Sequence, residues 1–159
     1  MISIIMPYYK KKQFVLEAIN SVLKQTYKKF ELLIIYDDES KDDIYFINKI
    51  ISKDKRIKLI INKKNLGAGE SRNKGIKLSK GKLIAFLDSD DTWDNDYLAT
   101  YKEAIEKTEN SKIKVWFGEV LETSVENHLH DLMAIGIDSK IGMMVEKQSR
   151  LQFYPMINF

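Results

Sequence analysis

Asp88 and Asp90 stand two positions apart at the end of an apolar run, Leu83-Ile84-Ala85-Phe86-Leu87, and Asp91 follows at once. At that spacing two carboxylates point the same way if extended backbone continues for one more pleat, and convergent carboxylates require a cation. Oxygen ligands in a chain without cysteine select a hard divalent ion, Mn²⁺ or Mg²⁺, of the kind that also binds substrate phosphates. An isolated Asp-x-Asp also serves simply to cap the next helix, so its surroundings decide its meaning. A second acidic stretch, Asp37-Asp38-Glu39-Ser40, closes the apolar run that ends at Tyr36. Asp38, in the turn between strand and helix, is the ligand candidate there, with turn formation as the plainer role. Asp42 and Asp43 read as partners of a helix dipole. Arg72, early in a helix that follows a glycine-containing loop, suits an anion, with Lys64 as a neighbour; a surface salt bridge is the ordinary alternative. His128 and His130 with Asp131 have spacing that could hold a metal, but they read as an exposed loop pair.

Such groups need elements that bring strand ends together. Apolar runs predict strands at residues 3–6, closed by Pro7 with Tyr8 and Tyr9 beyond it, and at 31–36, 56–61, 84–87 and 113–120. Between them, helical spacing of Val15, Ile19, Val22 and Leu23 predicts a helix over 12–26. Ile44, Ile47 and Ile51 predict one beginning near Asp42 and capped by Ser40. Two more are expected at 70–79 and at 95–107, the last with Leu98, Tyr101 and Ile105 on one face. Strand and helix in alternation give an α/β fold with a mainly parallel sheet flanked by helices, whose ligands sit at the carboxyl ends of the strands. Gly67-x-Gly69 does not extend to a dinucleotide fingerprint, because Arg72 stands where its third glycine belongs. Residues 124–159 lack clear periodicity.

The 159 residues suit a single domain with a real core. No stretch approaches the ~20 apolar residues of a membrane-spanning helix, and the first residues lack a basic leader, which together predict a cytoplasmic protein. The net charge of +3 hides an asymmetry of +9 over residues 1–80 and −6 over 81–159. The basic half suits a phosphate-bearing substrate, or peripheral association with the anionic inner face of a membrane. Lys10-Lys11-Lys12 by itself reads as solvated surface. Nucleic acid is not expected, since the basic residues show no aromatic interleaving or recognition motif.

Five segments then agree in order and spacing. They are Ser3-Ile4-Ile5-Met6-Pro7-Tyr8-Tyr9, Ser21-Val22-Leu23-Lys24-Gln25-Thr26-Tyr27, Asp37-Asp38-Glu39-Ser40, Asn65-x-Gly67 through Arg72-Asn73-x-Gly75-Ile76, and Phe86-Leu87-Asp88-Ser89-Asp90-Asp91. Together they resemble the family-2 glycosyltransferases of GT-A fold over residues 2–105. The resemblance implies a Rossmann-like GT-A domain that moves a sugar, with inversion, from a nucleotide donor, often a UDP-sugar, to a hydroxyl of a glycan or lipid-linked acceptor in cell-surface glycan synthesis. It implies that Pro7 and Tyr9 line the base and ribose pocket, that Asp38 accepts a hydrogen bond from uracil, and that Asn65 and Arg72 approach the nucleotide. Asp88 would contact ribose or metal, and Asp90 would hold the Mn²⁺ or Mg²⁺ that bridges the diphosphate. Residues 1–105 would be the nucleotide-binding half and 106–159 the start of an acceptor-side half, cut short.

Two positions depart from the family's pattern: Glu39 replaces a glycine, which strains the turn if that position needs positive φ, and Lys10 replaces an asparagine. Inversion also requires a base on the acceptor side. The sequence identifies no such base before Phe159, offering only Glu119, Glu122, His128, His130 and Asp131, none in a recognisable acidic motif. The expectation is a chain that binds donor and by itself transfers sugar poorly. The rival readings are a nucleotidyltransferase, against which the absence of a glycine- and arginine-rich first loop counts, and a non-catalytic nucleotide-sugar-binding or scaffolding protein.

Overall fold

The computed structural model describes residues 1–107, 115–117 and 143–146. At its centre lies β1 (Ile2–Tyr8), buried at every residue but Pro7. A run so continuously apolar is stable only in a strand covered on both faces. β2 (Phe30–Tyr36), wholly buried, and β4 (Leu83–Phe86) flank it in parallel, and β3 (Ile57–Ile61) lies parallel outside β2. β6 (Met143–Glu146) then joins antiparallel to β4, followed by β5 (Val115–Phe117), so the sheet order is β3-β2-β1-β4-β6-β5.

Alternation along the strands divides the core between two layers of helices. Ile4, Met6 and Tyr8 of β1, with Leu32, Ile34 and Tyr36 of β2, face α1 (Lys12–Leu23), α2 (Lys41–Ile51) and α4 (Tyr97–Lys107), where Val15, Ile19, Ile47 and Leu98 complete the cluster. Ile5, Leu33 and Ile35 point the other way, onto Ile76 of α3 (Gly67–Leu78). α3 comes so close to β1 that a Cβ on Gly75 would lie 2.4 Å from a methyl of Ile5. Ser40 caps α2, its hydroxyl accepting from the Asp43 N–H at 3.2 Å, as the sequence predicts.

β1 does not stop before Pro7 as expected; it runs through it. The Leu87 N–H donates to the Ile5 carbonyl, so odd-numbered residues of β1 turn their backbone groups toward β4. The β1–β4 ladder ends at Ile5–Phe86, and Pro7 faces a place where no donor is required. The turn positions also differ. Glu39 is not among the described residues with positive φ, whereas Lys10 is, at φ 52°. The strain expected at one departure therefore sits at the other, where the asparagine of the family pattern would tolerate it better. β6 is not expected from sequence, because four residues inside an aperiodic stretch carry too little pattern to be read.

At the amino ends of the strands a buried polar network closes the sheet. One Glu31 carboxylate oxygen accepts from the Ser3 hydroxyl at 2.7 Å and from the Lys80 N–H at 2.6 Å, while Lys58 lies 3.6 Å from the other. Burial acts to raise the Glu31 carboxyl, but the Ser3, Lys80 and Lys58 interactions outweigh it and hold it below the usual glutamate range. A depressed carboxyl contributes stability that is complete above its unfolded value, about pH 4.3, and is lost as pH falls through the folded one. The thermal midpoint should therefore drop as pH is lowered from about 5 toward about 3. Glu31→Gln should make that slope shallower; an unchanged slope would show that Glu31 contributes nothing to it.

Candidate functional site

The carboxyl ends of β1, β2 and β4 and the first turns of α3 surround a cavity of about 530 Å³. Of the predicted site residues, Pro7, Tyr9, Asn65, Arg72, Asp88 and Asp90 line it. Asp38 does not; it lies beside the cavity, where its two carboxylate oxygens accept from the Lys10 N–H at 3.2 Å and the Glu39 N–H at 2.7 Å. Lys64 is likewise outside the lining.

The chain does not stay extended after β4. The Asp91 N–H donates to the Asp88 carbonyl at 3.1 Å, closing a turn, so the shared facing of Asp88 and Asp90 does not come from a continued pleat. Both carboxylates reach the cavity nonetheless, and each meets a cation from a different element. Arg72 of α3 donates to Asp88 at 2.6 Å, and Lys11, just ahead of α1, lies 2.7 Å from Asp90. All four side chains remain partly open to solvent.

Three residues that hold this arrangement are not singled out by sequence as site residues. The first is Asp37, 4% exposed, which continues the parity of Leu33 and Ile35 and so points toward α3. Its carboxylate accepts from the N–H groups of Leu66 and Gly67, each at 2.8 Å, and from the Asn62 amide at 2.7 Å. The N-cap residue Leu66 offers α3 no side-chain cap, and Asp37 satisfies its first donors from the end of β2, sharing the Gly67 N–H with the side-chain oxygen of Asn65 at 3.2 Å. Gly67, at φ +82°, makes the turn that presents those donors. With this cap in place α3 begins at Gly67, ahead of its expected start at Glu70.

Gln25 is the second. Fully buried, it donates to the Asp94 carbonyl at 2.5 Å and accepts from the Leu98 N–H at 2.9 Å, tying the end of α1 to the loop after Asp90 and the start of α4. The third is Tyr8, whose ring stacks on Tyr36 with centroids 5.0 Å apart and whose hydroxyl donates to Asp43 at 2.6 Å. Burial, then the Asp43 bond, push its phenol upward, so it remains a donor. Asp43 also meets Lys12 at 3.0 Å. Two members of the lysine run thus neutralise carboxylates while their side chains stay nearly half exposed.

The family model described as "Glycosyl transferase family 2" matches residues 3–157. The chain belongs to that family. Among its relatives are an uncharacterized glycosyltransferase of Rickettsia conorii, 52% identical over 105 residues, and the UDP-Glc:alpha-D-GlcNAc-diphosphoundecaprenol beta-1,3-glucosyltransferase WfgD of Escherichia coli, 47% identical over 94 residues. The first match covers 66% of this chain and 16% of the relative, the second 58% and 36%. The matched segment therefore spans well under half the length of either relative.

Among solved structures, S. aureus TarS residues 1–349 in complex with UDP superimposes with a TM-score of 0.62 at 28% identity, covering 68% of this chain and 32% of that one. The mannosyltransferase PcManGT of Pyrobaculum calidifontis, 16% identical, shares the fold with a TM-score of 0.63, over 72% of this chain and 34% of its own. The α/β GT-A architecture expected from sequence is therefore the observed one. No described helix is long and apolar enough to cross a membrane. The candidate bases Glu119, Glu122, His128, His130 and Asp131 lie outside the described residues, as does the rest of the stretch from Lys147 to Phe159 in which the sequence identifies no general base.

Proposed function

We propose that this chain forms the donor-binding part of an inverting glycosyltransferase that transfers a sugar from a UDP-sugar to an acceptor hydroxyl in cell-surface glycan synthesis. The observation that carries the proposal is the convergence of Asp88, Asp90, Arg72 and Lys11 on one cavity at the strand ends. Alternating carboxylates and cations there suit a divalent ion together with a diphosphate, which neither charge type alone would hold. The UDP complex of TarS and the UDP-Glc named for WfgD support the choice of donor, and the diphosphoundecaprenol in WfgD's name supports a lipid-linked acceptor.

The donor set fits a hard divalent cation, Mn²⁺ or Mg²⁺. Asp90 and Asp88 would supply the carboxylate oxygens, with Lys11 and Arg72 as their present partners, and diphosphate and water would complete the shell. Once bound, such an ion offsets the charge that accumulates on a departing nucleoside diphosphate. The protein's own groups do the rest. Arg72 supplies a planar, permanently charged donor toward the same anion. Pro7 and Tyr9 wall the nucleoside side, and Tyr8, held by Tyr36 and Asp43, fixes the strand end that carries them. Asn65 donates to the Asp37 carbonyl at 3.1 Å and so holds the α3 loop against that wall.

Asp38 is proposed to select the base from the rim. Each of its oxygens accepts one backbone N–H and keeps acceptor capacity for the ring N–H of uracil, while cytosine would present an unprotonated nitrogen to a negative charge. A mismatch of this kind costs about 1–3 kcal/mol. Calorimetry with Mn²⁺ should find UDP bound at least several-fold more tightly than CDP, and Asp38→Asn should erase the difference. Failure of UDP to bind at all would remove the donor assignment; preference surviving in Asp38→Asn would remove only the role of Asp38.

A further inference from the structure

Lys11 stands where the metal reading needs an open ligand. Its ammonium lies 2.7 Å from one carboxylate oxygen of Asp90, and both side chains line the same cavity. From this juxtaposition we infer that Lys11 is a resident counter-ion that competes with the divalent cation for Asp90 and moves to the diphosphate when donor binds. The inference rests on the proposed function of the site and deepens it, because it makes metal and nucleotide binding depend on each other through one side chain.

The physical case has three parts. A divalent ion on Asp90 and an ammonium 2.7 Å from the same carboxylate repel each other, so metal binding acts to displace Lys11. Eviction is feasible, since Lys11 is 43% exposed on a four-carbon stem and its partner is 36% exposed, a pair of the kind worth only about a two- to five-fold change in an equilibrium. Staying nearby is also feasible, because Lys11 precedes the first turn of α1, whose N–H groups already favour an anion, and no acidic residue stands in that turn. A nucleoside diphosphate brings the negative charge that Lys11 loses when Asp90 turns to the metal. Arg72 faces the same anion but is paired with Asp88 at 2.6 Å and not with Asp90, so it does not couple the two ligands through Asp90.

The consequence is positive coupling, and coupling of binding equilibria is reciprocal. In the wild-type chain Mn²⁺ alone should bind weakly and UDP should tighten it. Lys11→Met removes the competitor, so Mn²⁺ alone should bind about two- to five-fold more tightly, while UDP should tighten it by a smaller factor than in the wild type. Lys11→Arg should restore the wild-type pattern. Free Mn²⁺, followed by electron paramagnetic resonance during titration of the 159-residue chain with and without UDP, reads these changes without any transfer assay. Melting curves of the variants confirm that they are folded.

Equal Mn²⁺ affinity of wild type and Lys11→Met in the absence of UDP would overturn the inference while leaving the metal site standing. Equal coupling to UDP in the two proteins would overturn it as well. Absence of Mn²⁺ binding in both, with UDP present, would remove the metal reading of Asp88 and Asp90 and this inference with it. Tight binding in Lys11→Met where the wild type shows none would support it most directly.

Discussion

Replacing Asp37 by alanine should destabilise the protein by about 2–4 kcal/mol and weaken UDP binding at the same time. The magnitude follows from what the carboxylate holds. It caps α3 through two backbone donors, a loss commonly worth about 0.5–2 kcal/mol, and it accepts from the buried Asn62 amide, whose orphaning adds about 1–3 kcal/mol. Asn62 also donates to Ser71 and accepts from Lys74, so the disturbance spreads along the first two turns of α3. Arg72 lies on those turns and faces Asp88. A loosened α3 would therefore blur the cationic side of the cavity. Urea denaturation provides the stability change and calorimetry the affinity. Asp37→Asn, which keeps one acceptor oxygen, should fall between wild type and alanine. A stability within about 0.5 kcal/mol of wild type for the alanine variant would mean that α3 is positioned by its apolar contacts alone.

Asp90→Ala should eliminate the metal-dependent part of UDP binding while leaving the fold intact. Its carboxylate is partly open to solvent and bonded to a flexible lysine, so little stability depends on it. For metal, by contrast, it is the carboxylate whose neighbour is easiest to displace, since Asp88 is held by an arginine that has 22% of its side chain exposed against 43% for Lys11. UDP titrated with and without Mn²⁺ should give two different affinities for the wild type and one for the variant. Asp88→Ala should reduce the metal effect and also release Arg72, lowering UDP affinity even without metal. If Mn²⁺ raises UDP affinity equally in wild type and Asp90→Ala, the ion is held elsewhere.

Much of this protein was determined by local pattern. The wholly buried run of β2 and the nearly unbroken one of β1, the 3.6-residue spacing of Val15, Ile19 and Val22, and the Ser40 cap each satisfy their requirements within a few residues, and the structure follows them. That candidate site residues gather at strand ends was legible for the same reason, because a parallel sheet brings its carboxyl ends together whatever the side chains are. What required the tertiary structure was pairing between elements distant in the chain. Nothing local distinguishes Lys11 from Lys10, yet one faces Asp90 and the other sits at φ 52°. Alternation assigns Asp37 and not Asp38 to the α3 face, but only the packing of α3 on Ile5, Leu33 and Ile35 places donors there. The turn at Asp88 is a case in which the local expectation gave way. Extended backbone would have aligned the two aspartates, and instead hydrogen bonds from Gln25 to the following loop and from Asp91 to Asp88 bend the chain. Sequence periodicity fixes which face of an element is apolar, since that depends on the residue's own chain; which charge meets which depends on loop geometry that no short stretch encodes.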